Sequence, residues 1–180
     1  MEHLQSFGLI VQGFARAENL MQVILSAVYR IHLTTIILLT NGLQYAGKRE
    51  AALVSLRAVE MPAEMRERIA WLLGEVNKFS ALRNAISHSN WTKGTRPGSV
   101  KPYQMKTRGG TLTLFGTKED EDDHTIDELR DAANALIAAL DAADHYLEAV
   151  GLRPLLHRAG RVAPTHIDRL ASPPSDIPSA

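Results

Sequence analysis

The sequence predicts an all-α protein, an antiparallel four-helix bundle with a β-hairpin inserted between the third and fourth core helices. Three observations lead there. Long stretches carry their apolar residues on single stripes at helical spacing, so each has one face to bury. One stretch alternates apolar and polar residues around Gly109 and Gly110, the pattern of a hairpin. The 180 residues contain no cysteine, so packing alone has to hold the fold.

Taken in order, residues 7–28 place Phe7, Val11, Phe14, Met21, Leu25 and Val28 on one stripe, the first helix. A second helical region covers 33–59, with Asn41 and Gly42 marking a break and Met61-Pro62 its exit. The β-branched run from Thr34 to Ile37 has no alternating partner nearby and is read as helix. The third helix, 63–89, carries Met65, Ile69, Leu72, Val76, Phe79 and Ile86. Residues 100–107 and 111–117 then form the two arms of a hairpin inserted at 98–118. Thr125 and Glu128 make a capping box that opens the fourth helix. Its stripe is Ile126, Leu129, Ala133, Leu136, Leu140, Ala143, Leu147 and Val150, and Gly151 and Pro154 close it. Residues 1–153 thus make one helical domain, and 154–180, with Pro164, Pro173, Pro174 and Pro178, read as a flexible tail. Four single-stripe helices bury those stripes best against one another.

The apolar content of 45% fits one globular domain. The most lipid-like run, Ile36 to Leu39, ends at Thr40, Asn41 and Gly42, far short of the ~20 residues that cross a bilayer. The start of the chain lacks the basic region of a secretory signal. A cytoplasmic protein with no membrane partner is the expectation. Without thiols, zinc–thiolate sites and thiol catalysis are excluded. The 20 basic and 20 acidic residues cancel, but their distribution does not. From Val76 through Lys118 there are eight basic residues and no Asp or Glu, and Glu119 to Asp123 are then all acidic.

The chemistry-bearing stretch is Leu82-Arg83-Asn84-Ala85-Ile86-Ser87-His88. On a helix Asn84 and His88 lie four apart on one face, while Arg83 falls on the apolar stripe one turn beyond Phe79. An arginine there needs a partner. Glu18 offers one, because it occupies the first helix's stripe between Phe14 and Met21. A Glu18–Arg83 pair would fix the guanidinium and leave its other donors for a phosphate.

This stretch resembles the motif of the HEPN superfamily, an Arg followed by a polar residue, most often Asn, and then a His, with four to six residues between Arg and His. The same Arg-to-His interval recurs from Arg161 to His166, but Pro164 breaks any helix there and no Asn follows Arg161. The resemblance implies a metal-independent endoribonuclease that needs no cofactor. The RNA 2′-hydroxyl attacks the adjacent phosphate, giving a 2′,3′-cyclic phosphate and a free 5′-hydroxyl. His88 would be general acid or base, Arg83 would stabilise the phosphate charge, and Asn84 would orient His88 or the phosphate. It further implies a homodimer with a composite site near Asn77, Ala81, Asn84 and His88, and a toxin or defence setting with a cognate antitoxin or regulatory protein. Lys93, Arg96, Lys101, Lys106 and Arg108 would contact RNA phosphates, and Trp91 and Tyr103 would stack on bases. The alternative is a HEPN-like bundle that binds a partner without catalysis.

No metal site is expected. The run Glu119 to Asp123 lies where a helix dipole favours negative charge. Asp141 and His145, four apart, lie off the apolar stripe and read as a solvated face.

Overall fold

The computed structural model describes residues 2–108, 111–115 and 123–152, with backbone alone at 2, 104–108 and 111–115. The expected turn at Gly109 and Gly110 and the tail at 154–180 lie outside the described residues. The chain is mostly helical. Among the described residues six helices, α1 (Glu2–Tyr29), α2 (Leu33–Thr40), α3 (Tyr45–Ala58), α4 (Ala63–Asn77), α5 (Ser80–His88) and α6 (Ile126–Ala149), accompany strands β1 (Asn90–Lys93), β2 (Val100–Arg108) and β3 (Thr111–Phe115).

One apolar core joins four of the helices. Ile10, Phe14, Ala17, Met21 and Ile24 of α1 meet Ala52 and Leu56 of α3, Ile69, Leu72, Leu73 and Val76 of α4, and Ala133, Leu136, Leu140 and Ala143 of α6. Removing each large side chain of this set from water stabilises the fold by roughly 1.5–3 kcal/mol. The α6 stripe is buried as its spacing predicts, from Leu129 to Leu147. On α1 the buried line is rotated: Val11 is 43% exposed and Ile10 takes its place. Gly13 lets α1 approach α6, since a Cβ there would lie 2.7 Å from Leu136 Cδ2.

The ends of the helices follow local chemistry. Thr125 Oγ1 accepts from Glu128 N–H at 3.2 Å and Glu128 Oε2 accepts from Thr125 N–H at 2.8 Å, completing the capping box. At the other end Gly151 adopts φ 73°. Leu152 N–H then reaches Leu147 O at 2.9 Å and Gly151 N–H reaches Glu148 O at 3.1 Å, a Schellman cap. The break expected at Asn41 and Gly42 separates α2 from α3. Buried Gln22 Nε2 donates to Thr40 Oγ1 at 2.9 Å and ties α2 to α1.

Two elements depart from the sequence reading. The third helix is not continuous: Lys78 N–H bonds Glu75 O and Phe79 N–H bonds Val76 O, three residues back, a tightened turn that divides α4 from α5. The apolar stripe runs through this break, so periodicity could not reveal it. Its consequence is positional, for α4 packs on α6 while α5 packs on α1. The hairpin also has a third strand. β1 pairs antiparallel with β2, Asn90 opposite Tyr103 and Lys93 opposite Val100, so the order is β1-β2-β3. Four residues are too few to alternate visibly. Val100 and His124 exchange backbone hydrogen bonds of 2.9 and 2.8 Å, joining the sheet to the approach of α6. Among the described residues no helix is long and apolar enough to cross a membrane.

Candidate active site around Arg83

The break after α4 delivers Arg83 to the flank of α1. Its guanidinium lies 5.8 Å from the centre of the Phe14 ring, within cation–π range. Arg83 Nη1 donates to Asn84 Oδ1 at 3.0 Å, and Nη2 lies 3.8 Å from Glu18 Oε1. The Glu18–Arg83 pair is therefore present but loose. The close partner of Glu18 is Lys48 of α3, whose Nζ stands 2.5 Å from Oε2. Lys48 is buried, its side chain only 9% exposed, and burying an ammonium is costly without a carboxylate beside it.

Lys48 escaped the sequence reading although it leaves the same trace as Glu18 and Arg83, a charge within an apolar stripe. Tyr45, Lys48, Ala52 and Leu56 form the buried line of α3, and Lys48 is the one charged member. Tyr45 packs edge-on against Phe14, ring centres 4.8 Å apart. Burial pushes its phenol up to about 12, with Arg49 and Arg83 opposing the rise and Glu18 adding to it. The phenol thus stays protonated, a donor at neutral pH.

Asn84 and His88 are both exposed. His88 closes α5, whose last backbone bond runs from Ser89 N–H to Ala85 O at 3.0 Å. The cluster therefore has a half-buried cation, an exposed amide beside it and an exposed imidazole one turn on.

The basic segment is less uniform than its sequence suggests. Lys93 is exposed on β1, and Lys101 and Tyr103 are half-buried on β2. Lys106 and Arg108 pair in backbone register with Thr113 and Thr111, and their side chains lie outside the described residues. Arg96 is engaged by protein rather than open to a phosphate: its two Nη atoms meet Glu128 carboxylate oxygens at 2.7 Å each, and Nη2 also donates to Asp123 O. Trp91 packs on Phe7 of α1, ring centres 4.5 Å apart, with His124 at 6.1 Å. Its ring seats the sheet on α1 instead of standing open for a base.

Asp123 has a role the sequence reading did not give it. Its Oδ2 accepts from Thr95 N–H at 2.5 Å, Thr95 Oγ1 at 2.6 Å, Arg96 N–H at 2.9 Å and Ser99 Oγ at 2.9 Å. The Thr95 hydroxyl above all, with the Arg96 amide and Ser99, holds this carboxyl well below the usual carboxylate range. Asp123 pins the loop between β1 and β2. Arg16 binds both Asp141 at 2.7 Å and Asp144 at 2.5 Å, so Asp141 is drawn into an α1–α6 tie.

No protein-family model, no curated protein and no solved structure matches this chain.

Proposed function

We propose that the chain is a metal-independent endoribonuclease on a four-helix bundle of HEPN type. The observation that carries this reading is the setting of Arg83. It is half-buried on a short helix, held over Phe14, joined to Asn84 and loosely to Glu18, with exposed His88 one turn further on. A guanidinium fixed this way keeps donors for the non-bridging oxygens of a phosphate.

In the proposed reaction His88 removes the proton of the RNA 2′-hydroxyl, and the 2′ oxygen forms a bond to phosphorus. The bond from phosphorus to the 5′ oxygen breaks, and that oxygen takes a proton from the His88 imidazolium of a second copy. The products are a 2′,3′-cyclic phosphate and a 5′-hydroxyl. Arg83 stabilises the charge on the phosphoryl oxygens, and the Asn84 amide, its Oδ1 held by Arg83, offers N–H donors toward the phosphate. Lys93 and Lys101 support RNA along the sheet. The setting is a toxin or defence system with a cognate neutralising protein. In EDTA-containing buffer His88→Ala and Arg83→Ala each abolish cleavage of single-stranded RNA while the helical fold remains. Cleavage persisting in both variants rejects this reading.

A second reading, a partner-binding module without catalysis, is favoured by α2. Leu38 and Leu39 are 72% and 69% exposed there, with Ile37 and Leu43 beside them, an apolar surface suited to association. Concentration-independent monomeric mass with Leu38→Asp indistinguishable from the parent rejects it.

A further inference from the structure

The Arg83 cluster contains two polar groups that its ion pairs leave unused. Tyr45 is 7% exposed, yet its Oη finds no hydrogen-bond partner among the described residues, and neither does Arg49 Nε. Buried donors are nearly always satisfied, so two unsatisfied ones on one helix call for an acceptor. They share a face, for Tyr45 and Arg49 are four apart on α3. They also adjoin the candidate site. Tyr45 and Arg83 lie against the same Phe14 ring, and Arg49 and Arg83 both act electrostatically on the Tyr45 phenol.

The charges specify the acceptor. Glu18 is answered at close range by Lys48, 2.5 Å away. Arg49 and Arg83 then remain as two cations beside one buried hydroxyl, with Glu18 at 3.8 Å the only carboxylate paired with Arg83 among the described residues. Such a set has surplus donors and surplus positive charge. It fits a tetrahedral oxyanion, whose oxygens accept several charge-assisted bonds at once.

We propose that Tyr45 and Arg49 are substrate-binding residues that, with Arg83, hold a phosphate group of the RNA backbone between α3 and α5. The inference rests on the nuclease reading for the identity of the ligand, but the anion site stands on its own donors. Tyr45 supplies a neutral O–H, Arg49 its unused N–H, and Arg83 the guanidinium edge not given to Asn84. None of the three exchanges a proton in the reaction. Their contribution is to binding and register.

The experiment compares the full chain with Tyr45→Phe and Arg49→Gln in three measurements: thermal unfolding, binding of inorganic phosphate, and RNA cleavage resolved into kcat and KM. Tyr45→Phe removes a hydroxyl that bonds nothing, so it melts at or above the parent temperature. Its phosphate Kd rises about tenfold, as does the KM for RNA, while kcat stays near the parent value. Arg49→Gln weakens phosphate binding at least as much. Equal phosphate affinity and equal KM in the parent and both variants overturn the proposal, even with RNA cleavage intact. Phosphate binding that depends on Tyr45 and Arg49 in a chain that cuts no RNA upholds the anion site and rejects the nuclease reading alone.

Discussion

Lys48 Nζ lies 2.5 Å from Glu18 Oε2, a close ion pair built from two charges that interrupt apolar stripes on different helices. Arg83 stands 3.8 Å from the other oxygen of the same carboxylate. Glu18 is thus shared between a structural lysine and the arginine of the candidate site, and the two roles separate by mutation.

Lys48→Met leaves Glu18 without its near partner. Stability falls by about 2 kcal/mol, less than the 3–5 kcal/mol of a fully buried broken pair because Arg83 can close on Glu18. Glu18→Gln combined with Lys48→Met recovers part of that loss. Urea unfolding of the two single variants and the double variant, read as a double-mutant cycle, measures the coupling; additive losses contradict it.

The carboxylates around the β1–β2 loop make stability fall in acid. Arg96 first, then the Thr125 backbone, hold Glu128 down at about 2 from 4.5, and Asp123 lies lower still. A carboxyl depressed in the folded state contributes its stability above the unfolded pKa and loses it as pH falls. Unfolding midpoints therefore decline as pH drops from 4.5 toward about 2. In Asp123→Asn the neutral-pH midpoint is lower and the acid slope shallower; an unchanged slope counts against the network.

Arg30 and Gly151 give opposite signs at two helix ends. Arg30 closes α1 at φ 53°, a conformation that costs a residue with a Cβ roughly 1–2 kcal/mol. Arg30→Gly raises stability by about 1 kcal/mol. Gly151→Ala, at φ 73°, lowers it by about 1 kcal/mol. Chemical denaturation of both variants checks the pair.

Trp91→Ala separates packing from base contact. Losing the ring that meets Phe7 at 4.5 Å destabilises the sheet's seat on α1 by about 2 kcal/mol. Hydrogen exchange of the β1 and β2 amides rises with it. Unchanged exchange together with weakened RNA binding assigns the indole to RNA instead.

Sequence pattern reached the parts of this fold that are specified within a few residues. Thr125 and Glu128 carry their capping box wherever the helix lies, Gly151 meets a left-handed conformation that only glycine adopts without strain, and the α6 stripe buries as spaced. The Arg83 motif was visible for the same reason, since Arg83, Asn84 and His88 belong to one helix. Even the misplacement of Glu18 could be read, because a charge inside an apolar stripe is a local anomaly.

What only tertiary structure decided is which distant residues meet. The turn at Lys78 and Phe79 leaves the apolar stripe intact while moving α5 from the α6 side to α1. It brings Arg83 over Phe14, where Tyr45 of α3 also rests. Lys48 claims Glu18 from thirty residues away, and Asp123 gathers Thr95, Arg96 and Ser99 across the inserted sheet. An ion pair or a loop anchor is chosen by geometry between helices, and periodicity, which describes one helix at a time, holds no record of its neighbour.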